Sequence, residues 1–252
     1  MVEGWAWPLL AAPFVGSFLG VLIRRLPRGE PVVLARSRCE RCGHALGPAE
    51  LVPLVGYALL RGRCRRCRER IGAFHPAVEL AAAAVALWAA LAAPDPATLW
   101  ADCALGWTLL TLAWIDGGHM RLPDALTLPL VPAGLLATLW LDPDGAMDHA
   151  VAAASGYAGF RAVERLYRRL RDRDGLGQGD AKLAAAAGAW VGLDGLGPVV
   201  LIAASAGLAV GVLRAARRPG TPEGVLRTPI PFGPCLAAAI WVVRLYGVTS
   251  PF

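Results

Sequence analysis

The chain has 252 residues, of which 56% are hydrophobic, and its mean hydropathy is +0.49. Because soluble domains are usually about 45–50% apolar, this composition disfavours a soluble globular protein and indicates a membrane protein. The net charge of +6 does not indicate binding to nucleic acid, because the positive charge is concentrated in one stretch, residues 24–75, and the rest of the chain is slightly acidic.

Runs of mostly apolar residues predict about eight transmembrane helices, because a helix needs about 20 such residues to cross a bilayer. The runs are, in chain order, 5–23, 76–94, 97–115, 125–141, 147–164, 181–193, 196–213 and 231–247. No small-residue cleavage site follows the first run, so we interpret it as a retained membrane helix and not as a removed signal peptide. The predicted fold class is therefore an all-α polytopic membrane protein.

The charges between these runs predict how the chain is oriented in the membrane. Arginines follow the first, third, fifth and seventh runs, whereas the other turns carry aspartates and no arginine. Arginine-rich turns stay on the cytoplasmic side of a membrane, so the 24–75 loop is expected to face the cytoplasm, with both termini outside. We therefore expect a multi-pass protein of the cell inner membrane, in contact with membrane lipid.

The loop after the first run contains two Cys-x-x-Cys pairs, Cys39/Cys42 and Cys64/Cys67. Two such pairs are typical of a structural zinc site with four thiolate ligands, which leaves no open coordination position for catalysis. A redox-active dithiol or unpaired thiols are the alternatives. The sequence thus predicts a zinc-ribbon-like cytoplasmic loop between the first and second transmembrane helices.

Two aspartates stand at the ends of predicted transmembrane helices on the cytoplasmic side. Asp116 ends the third run and Asp180 opens the sixth. Carboxylates beside a bilayer are costly, and two that are brought together share a proton, so that one can activate a water while the other polarises a carbonyl. A helix cap is the alternative role for Asp180 and for Asp124. Asp116 has no such role, because a negative charge at a helix C-terminus opposes the helix dipole.

Several segments occur in the order found in a known family. They are PFVGSFLGVLIRRLPRGE, LLRGRCRRC, HPAVEL, WIDGGHMRLPDALTLP, GQGDAKL and PFGPCLA. On these segments the chain resembles the bacterial type IV prepilin peptidases, which are bilobed membrane aspartyl proteases of the GxGD type, over nearly its whole length. The resemblance implies that Asp116 and Asp180 are the catalytic aspartates. It also implies a set of supporting residues near them, namely Gly177 and Gly179 for a tight backbone turn, Lys182 to orient Asp180 or to meet lipid phosphates, and Asp124.

The resemblance also implies the substrate and the organisation of the chain. The substrate would be a prepilin or pseudopilin precursor, cut on the cytoplasmic side between a short basic leader and a hydrophobic helix; no nucleic-acid partner is expected. An N-terminal lobe, 5–94, with the cysteine loop 24–75, would precede a peptidase domain, 95–247.

Many members of this family then methylate the new N-terminus with S-adenosylmethionine, through the N-terminal lobe. This chain has Gly20 where the family usually has Asn and His75 where it usually has Tyr. These departures leave the protease segments intact but leave methyl transfer open.

A non-catalytic membrane scaffold of a pilus or secretion assembly, which docks a partner through the zinc loop, is the alternative function. The joint presence of WIDGG and GQGD disfavours it, because a scaffold needs neither element. A transporter is disfavoured as well, since its intramembrane carboxylates would lie near the midplane and not at helix ends.

Overall fold

The computed structural model describes residues 3–33, 36–171, 177–217 and 230–247. These residues fold almost entirely into helices. The α-helices are α1 (Glu3–Arg25), α2 (Val55–Leu59), α3 (Phe74–Ala92), α4 (Pro96–His119), α5 (Asp124–Leu141), α6 (Ala146–Arg171), α7 (Gln178–Arg217) and α8 (Gly233–Tyr246). Short 3-10 turns are formed by Leu26–Arg28, Pro48–Glu50 and Pro143–Gly145. Within the described ranges, β-type pairing is limited to two isolated bridges in the cysteine loop.

Five helices of the described part are long and apolar enough to cross a membrane: α1 with the turn that follows it, α3, α4, α5 and α7. The prediction of an all-α polytopic membrane protein is confirmed. The fifth predicted run lies in α6, a 26-residue helix whose second half is rich in arginine, and the eighth lies in α8, which has 14 residues. Neither of these two helices combines the length with the apolarity of the other five.

The sixth and seventh predicted runs lie in α7, which consists of two helical segments that meet at a kink at Gly192. Gly192 has φ 70° and ψ −175°, a combination that is almost confined to glycine. Beyond the break, the backbone N–H of Leu193 donates to Oδ2 of Asp148 at 2.9 Å, which caps the second half of α7. A glycine conformation and a specific hydrogen bond therefore stabilise the break.

The chain divides into two compact units, Met1–Thr111 and Leu112–Phe252. In the first unit α1 packs against α3. The two helices approach closely, since a Cβ on Gly16 would lie 2.6 Å from the Cα of Glu79. The indole N–H of Trp107 donates to the carbonyl of Ala82 at 3.0 Å and fixes α4 to α3.

In the second unit α7 is the central helix, which packs against α5, α6 and α8. Small residues allow this packing, as the SGYAG and AAAAGAW segments predict. A Cβ on Gly156 of α6 would lie 2.5 Å from the carbonyl oxygen of Ala184 in α7. The indole N–H of Trp190 in α7 donates to the carbonyl of Leu130 in α5 at 2.9 Å. These contacts fix the N-terminal half of α7, which begins at the candidate site.

Candidate active site and metal centre

Asp116 lies in the last turn of α4 and is 6% exposed. Its Oδ2 accepts a hydrogen bond from the backbone N–H of Gly233 at 2.9 Å. Gly233 is the first residue of α8, and a helix N-terminus carries a partial positive charge. The start of α8 thus compensates the unfavourable position of a carboxylate at the C-terminus of α4.

Only glycine fits at position 233 while its backbone N lies this close to Oδ2 of Asp116. A Cβ there would lie 2.7 Å from Oδ2 and 2.9 Å from Cγ of Asp116. PFGPCLA is one of the segments that carry the resemblance, but no role was predicted for Gly233 within it. The available signal was Pro234, because proline is favoured in the first turn of a helix and so marks the helix start whose N–H groups meet Asp116.

Asp180 lies in the first turn of α7 and is half-buried. Its Oδ2 accepts a hydrogen bond from the backbone N–H of Gly177 at 3.1 Å, so the carboxylate does cap its own helix. Asp180 also interacts electrostatically with Asp116. The two aspartates, which are 64 residues apart in sequence, are therefore neighbours in the second unit.

Gly179 brings the start of α7 against Leu122, which lies just before α5. A Cβ on Gly179 would lie 2.8 Å from the Cβ of Leu122. Gly177 is exposed, and a Cβ at this position would lie 3.3 Å from Oδ2 of Asp180. Close packing against a neighbouring segment is thus found at Gly179 and not at Gly177.

Lys182 forms an ion pair with Asp124, and this contact differs from the expected roles of both residues. Asp124 is the first residue of α5, and Pro123 occupies the N-cap position, so the interpretation of Asp124 as a helix cap is wrong. Lys182 pairs with Asp124 and not with Asp180, because the N-terminal turns of α5 and α7 lie side by side. The pair joins the first turn of α7, which carries Asp180, to the first turn of α5.

The four loop cysteines form one cluster, in which all Sγ atoms lie within 4.8 Å of one another. The Sγ atoms of Cys39 and Cys67 are 3.8 Å apart, and those of Cys42 and Cys64 are 3.9 Å apart. A tetrahedral zinc site with Zn–S bonds of about 2.3 Å places its sulfurs about 3.8 Å apart. A disulfide requires about 2.05 Å, so the spacing fits a metal ion and not a disulfide.

Each cysteine pair lies in a tight turn of the same geometry. The backbone N–H of Gly43 donates to the carbonyl of Cys39 at 2.9 Å, and that of Arg68 donates to Cys64 at 3.0 Å. Gly43 and Arg68 both have a left-handed φ, of 68° and 59°. The sequence analysis could not foresee this at Arg68, because arginine rarely adopts that conformation.

The backbone of the first turn also stabilises the thiolate form of Cys39. The N–H groups of Cys42 and Arg41 donate to the Cys39 sulfur and lower the pKa of that thiol to about 7. Because metal ions bind the thiolate form, this donation favours metal binding.

Comparison with known proteins shows the family to which this chain is related. Residues 10–93 match the bacterial peptidase A24 N-terminal domain, and residues 103–212 match the type IV leader peptidase family. A prepilin leader peptidase/N-methyltransferase from Burkholderia pseudomallei (strain 1026b) is 40% identical over 275 residues, which cover 98% of this chain and 86% of that protein. The chain belongs to the type IV leader peptidase family.

Other members are similar over nearly the same length. A prepilin leader peptidase/N-methyltransferase from Pseudomonas aeruginosa is 37% identical over 265 residues, which cover 95% of this chain and 89% of that protein. One from Aeromonas hydrophila is 36% identical over 277 residues, covering 98% of this chain and 94% of that protein. No solved structure matches this chain.

The two departures from the usual sequence of the family lie next to each other in the first unit. A Cβ on Gly20 would lie 2.9 Å from Nδ1 of His75. The imidazole therefore occupies space that a larger side chain at position 20 would need. The two departures are therefore in direct contact with each other.

Proposed function

We propose that this chain is a membrane aspartyl endopeptidase that removes the short basic leader from type IV prepilins or pseudopilins, with Asp116 and Asp180 as its catalytic residues. The observation that carries the proposal is that these two carboxylates, one buried and one half-buried at helix ends, lie within range of each other's charge. A scaffold has no use for a costly pair of this kind.

The chemistry follows from two carboxyl groups that share one proton. The protonated group polarises the carbonyl of the scissile peptide, and the ionised group takes a proton from the attacking water. In each aspartate Oδ2 is held by a backbone N–H, from Gly233 or from Gly177. Oδ1 of each residue remains for the water and the substrate.

The supporting residues hold this pair in place and leave room for an extended peptide. Gly177 is exposed beside Asp180, so the backbone of a substrate can approach without meeting a side chain. Gly179 and the Lys182–Asp124 ion pair fix the start of α7 to the start of α5. Lateral movement of Asp180 away from Asp116 is thereby restricted.

The orientation follows from the charges. Arg121 follows the helix end that carries Asp116, and six arginines between 161 and 173 precede Asp180. This distribution supports a cell inner membrane protein with its active site and cysteine loop at the cytoplasmic face and its apolar helices in contact with lipid. The proposed substrate is a membrane-anchored precursor, and the positive charge of the loop needs no nucleic-acid partner.

The N-terminal lobe, 5–94, is proposed to carry the second activity, and the peptidase domain is proposed to cover 95–247. The matches at 10–93 and 103–212 support this division. Cys39, Cys42, Cys64 and Cys67 would hold a structural Zn²⁺, because four thiolates leave no position for a substrate. S-adenosylmethionine would supply the methyl group for the new N-terminus.

The test is mass spectrometry of the N-terminus of a prepilin co-expressed with the chain. We expect a trimmed N-terminus with the wild type and an untrimmed one with Asp116→Asn at equal membrane abundance. The added mass of one methyl group on the trimmed chain would support the second activity. An untrimmed N-terminus for the wild type with two different prepilins would favour the scaffold.

A further inference from the structure

The first unit contains a cavity of about 460 Å³ between the α1–α3 pair and the cysteine loop. This volume lies in the range of small-molecule sites, which is about 300–1,000 Å³. Arginines of the loop line the cavity, among them Arg36 and Arg38, and so do four glutamates, Glu30, Glu40, Glu50 and Glu79. The cavity thus presents both signs of charge to an occupant.

Glu50 is the unusual member of this lining. Its side chain is only 6% exposed, and its Oε2 accepts a hydrogen bond from the backbone N–H of Gly47 at 2.7 Å. Its Oε1 is buried and has no hydrogen-bond partner among the described residues. His44 is 3.6 Å from Oε2, too far for a hydrogen bond. Folded proteins rarely leave a buried carboxylate oxygen unpaired, so this atom indicates a missing donor.

Glu79 differs from Glu50 in this respect. It is 5% exposed, and its Oε2 accepts a hydrogen bond from the backbone N–H of Leu54 at 2.7 Å. This contact ties the loop to α3 and gives Glu79 a role in forming the wall. Glu40 and Glu30 are exposed and form ion pairs with Arg24 and Arg28. Glu50 is therefore the buried acidic residue of the lining with an acceptor left for a ligand.

We propose that Oε1 of Glu50 accepts a hydrogen bond from the ammonium group of S-adenosylmethionine bound in this cavity. The proposal rests on the methyl transfer proposed above. An ammonium group supplies both the donor and the positive charge that a buried carboxylate needs, whereas the sulfonium group has no donor and the ribose hydroxyls have no charge. The carboxylate of the same methionine moiety is complementary to Arg36 and Arg38.

The experiment measures binding and needs no methyl transfer. The purified full-length chain in detergent is titrated with S-adenosylhomocysteine, which keeps the ammonium group, and with 5′-methylthioadenosine, which lacks it. We expect Glu50→Gln to raise the Kd of S-adenosylhomocysteine about tenfold or more and to leave that of methylthioadenosine unchanged. Gln keeps an oxygen for the N–H of Gly47, and unchanged zinc content shows that the loop remains folded.

Glu69→Gln is the matched control. Glu69 lies in the same loop, is 42% exposed and does not line the cavity, so both Kd values are expected to stay at those of the wild type. Equal losses for the two ligands in Glu50→Gln, or no loss for either, would overturn the assignment of Glu50 to the ammonium group.

Hydrogen exchange on the wild type provides a second measurement that does not depend on a variant. S-adenosylhomocysteine should slow the exchange of backbone amides in 47–54 more than methylthioadenosine does, and equal effects would contradict the proposal. A wild type that binds neither ligand overturns the inference. If that protein nevertheless methylates a prepilin, the proposed methyl transfer remains supported and only the assignment of Glu50 is refuted. If it trims a prepilin but does not methylate it, both the assignment of Glu50 and the proposed methyl transfer are refuted.

Discussion

The backbone N–H of Gly233 donates a 2.9 Å hydrogen bond to Oδ2 of Asp116, and this bond joins the start of α8 to the end of α4. We predict that Gly233→Ala reduces prepilin cleavage about a hundredfold, because a Cβ at 2.7 Å from Oδ2 displaces the carboxylate and small displacements of a catalytic group are costly. Initial rates of leader removal by the purified protein measure this.

The control for that variant is Gly197→Ala. Gly197 is also a helical glycine, but a Cβ there would have no neighbour within 4 Å. Its cleavage rate should equal that of the wild type. A Gly233→Ala protein that cleaves as fast as Gly197→Ala would show that the contact with Asp116 has no part in catalysis.

The Lys182–Asp124 ion pair is expected to assist the site without being essential. The two side chains are 22% and 60% exposed, and partly exposed pairs contribute about 0.2–1 kcal/mol. We predict that Lys182→Met and Asp124→Asn each lower the cleavage rate only a few-fold. In a double-mutant cycle the combined loss should be smaller than the product of the single losses. Fully multiplicative losses would mean that the two residues act independently.

Metal content tests the cysteine cluster. We predict one zinc ion per chain, and its loss together with a lower Tm in the double variant Cys39→Ser, Cys64→Ser, because both halves of the four-sulfur site are broken. Elemental analysis of the purified protein measures the metal. Cys103→Ala, which removes a cysteine of α4 outside the cluster, should keep its zinc. Wild-type protein purified without metal would refute the zinc site.

The break in α7 should matter for stability. Gly192→Ala forces an alanine to φ 70° and places its Cβ 2.5 Å from Oδ2 of Asp148, so we predict a loss of about 1–3 kcal/mol in the free energy of unfolding. Thermal unfolding in detergent measures the shift in Tm. Gly159→Ala in α6, where a Cβ would meet nothing within 4 Å, should leave Tm unchanged or slightly higher. An unchanged Tm for Gly192→Ala would mean that the break is not required.

Much of the architecture could be predicted because it depends on local composition. Apolar runs gave the helices, and the spacing of the cysteine pairs gave the sulfur cluster that the structure contains. The expectation that Asp116 and Asp180 lie at one membrane face came from the alternation of arginine and aspartate between the runs, and it stays a prediction. Each of these features follows from residues that are close in sequence or from one global pattern of charge.

The contacts that could not be predicted are long-range ones. Asp116 meets Gly233, which is 117 residues away, and Lys182 meets Asp124, which is 58 residues away. Neither pairing leaves a periodic signal in the sequence. The sequence also did not predict how the sixth and seventh runs are connected, which is by a kink at a single residue, Gly192, and not by a loop.

The central claim is that Asp116 and Asp180 cut the leader peptide as a pair. The most direct measurement is the N-terminal mass of a purified prepilin after incubation with the purified Asp180→Asn chain, beside Asp144→Asn, which changes an exposed aspartate outside the site. We predict that the precursor stays intact with Asp180→Asn and is fully trimmed with Asp144→Asn. A trimmed N-terminus produced by folded Asp180→Asn protein would contradict the claim.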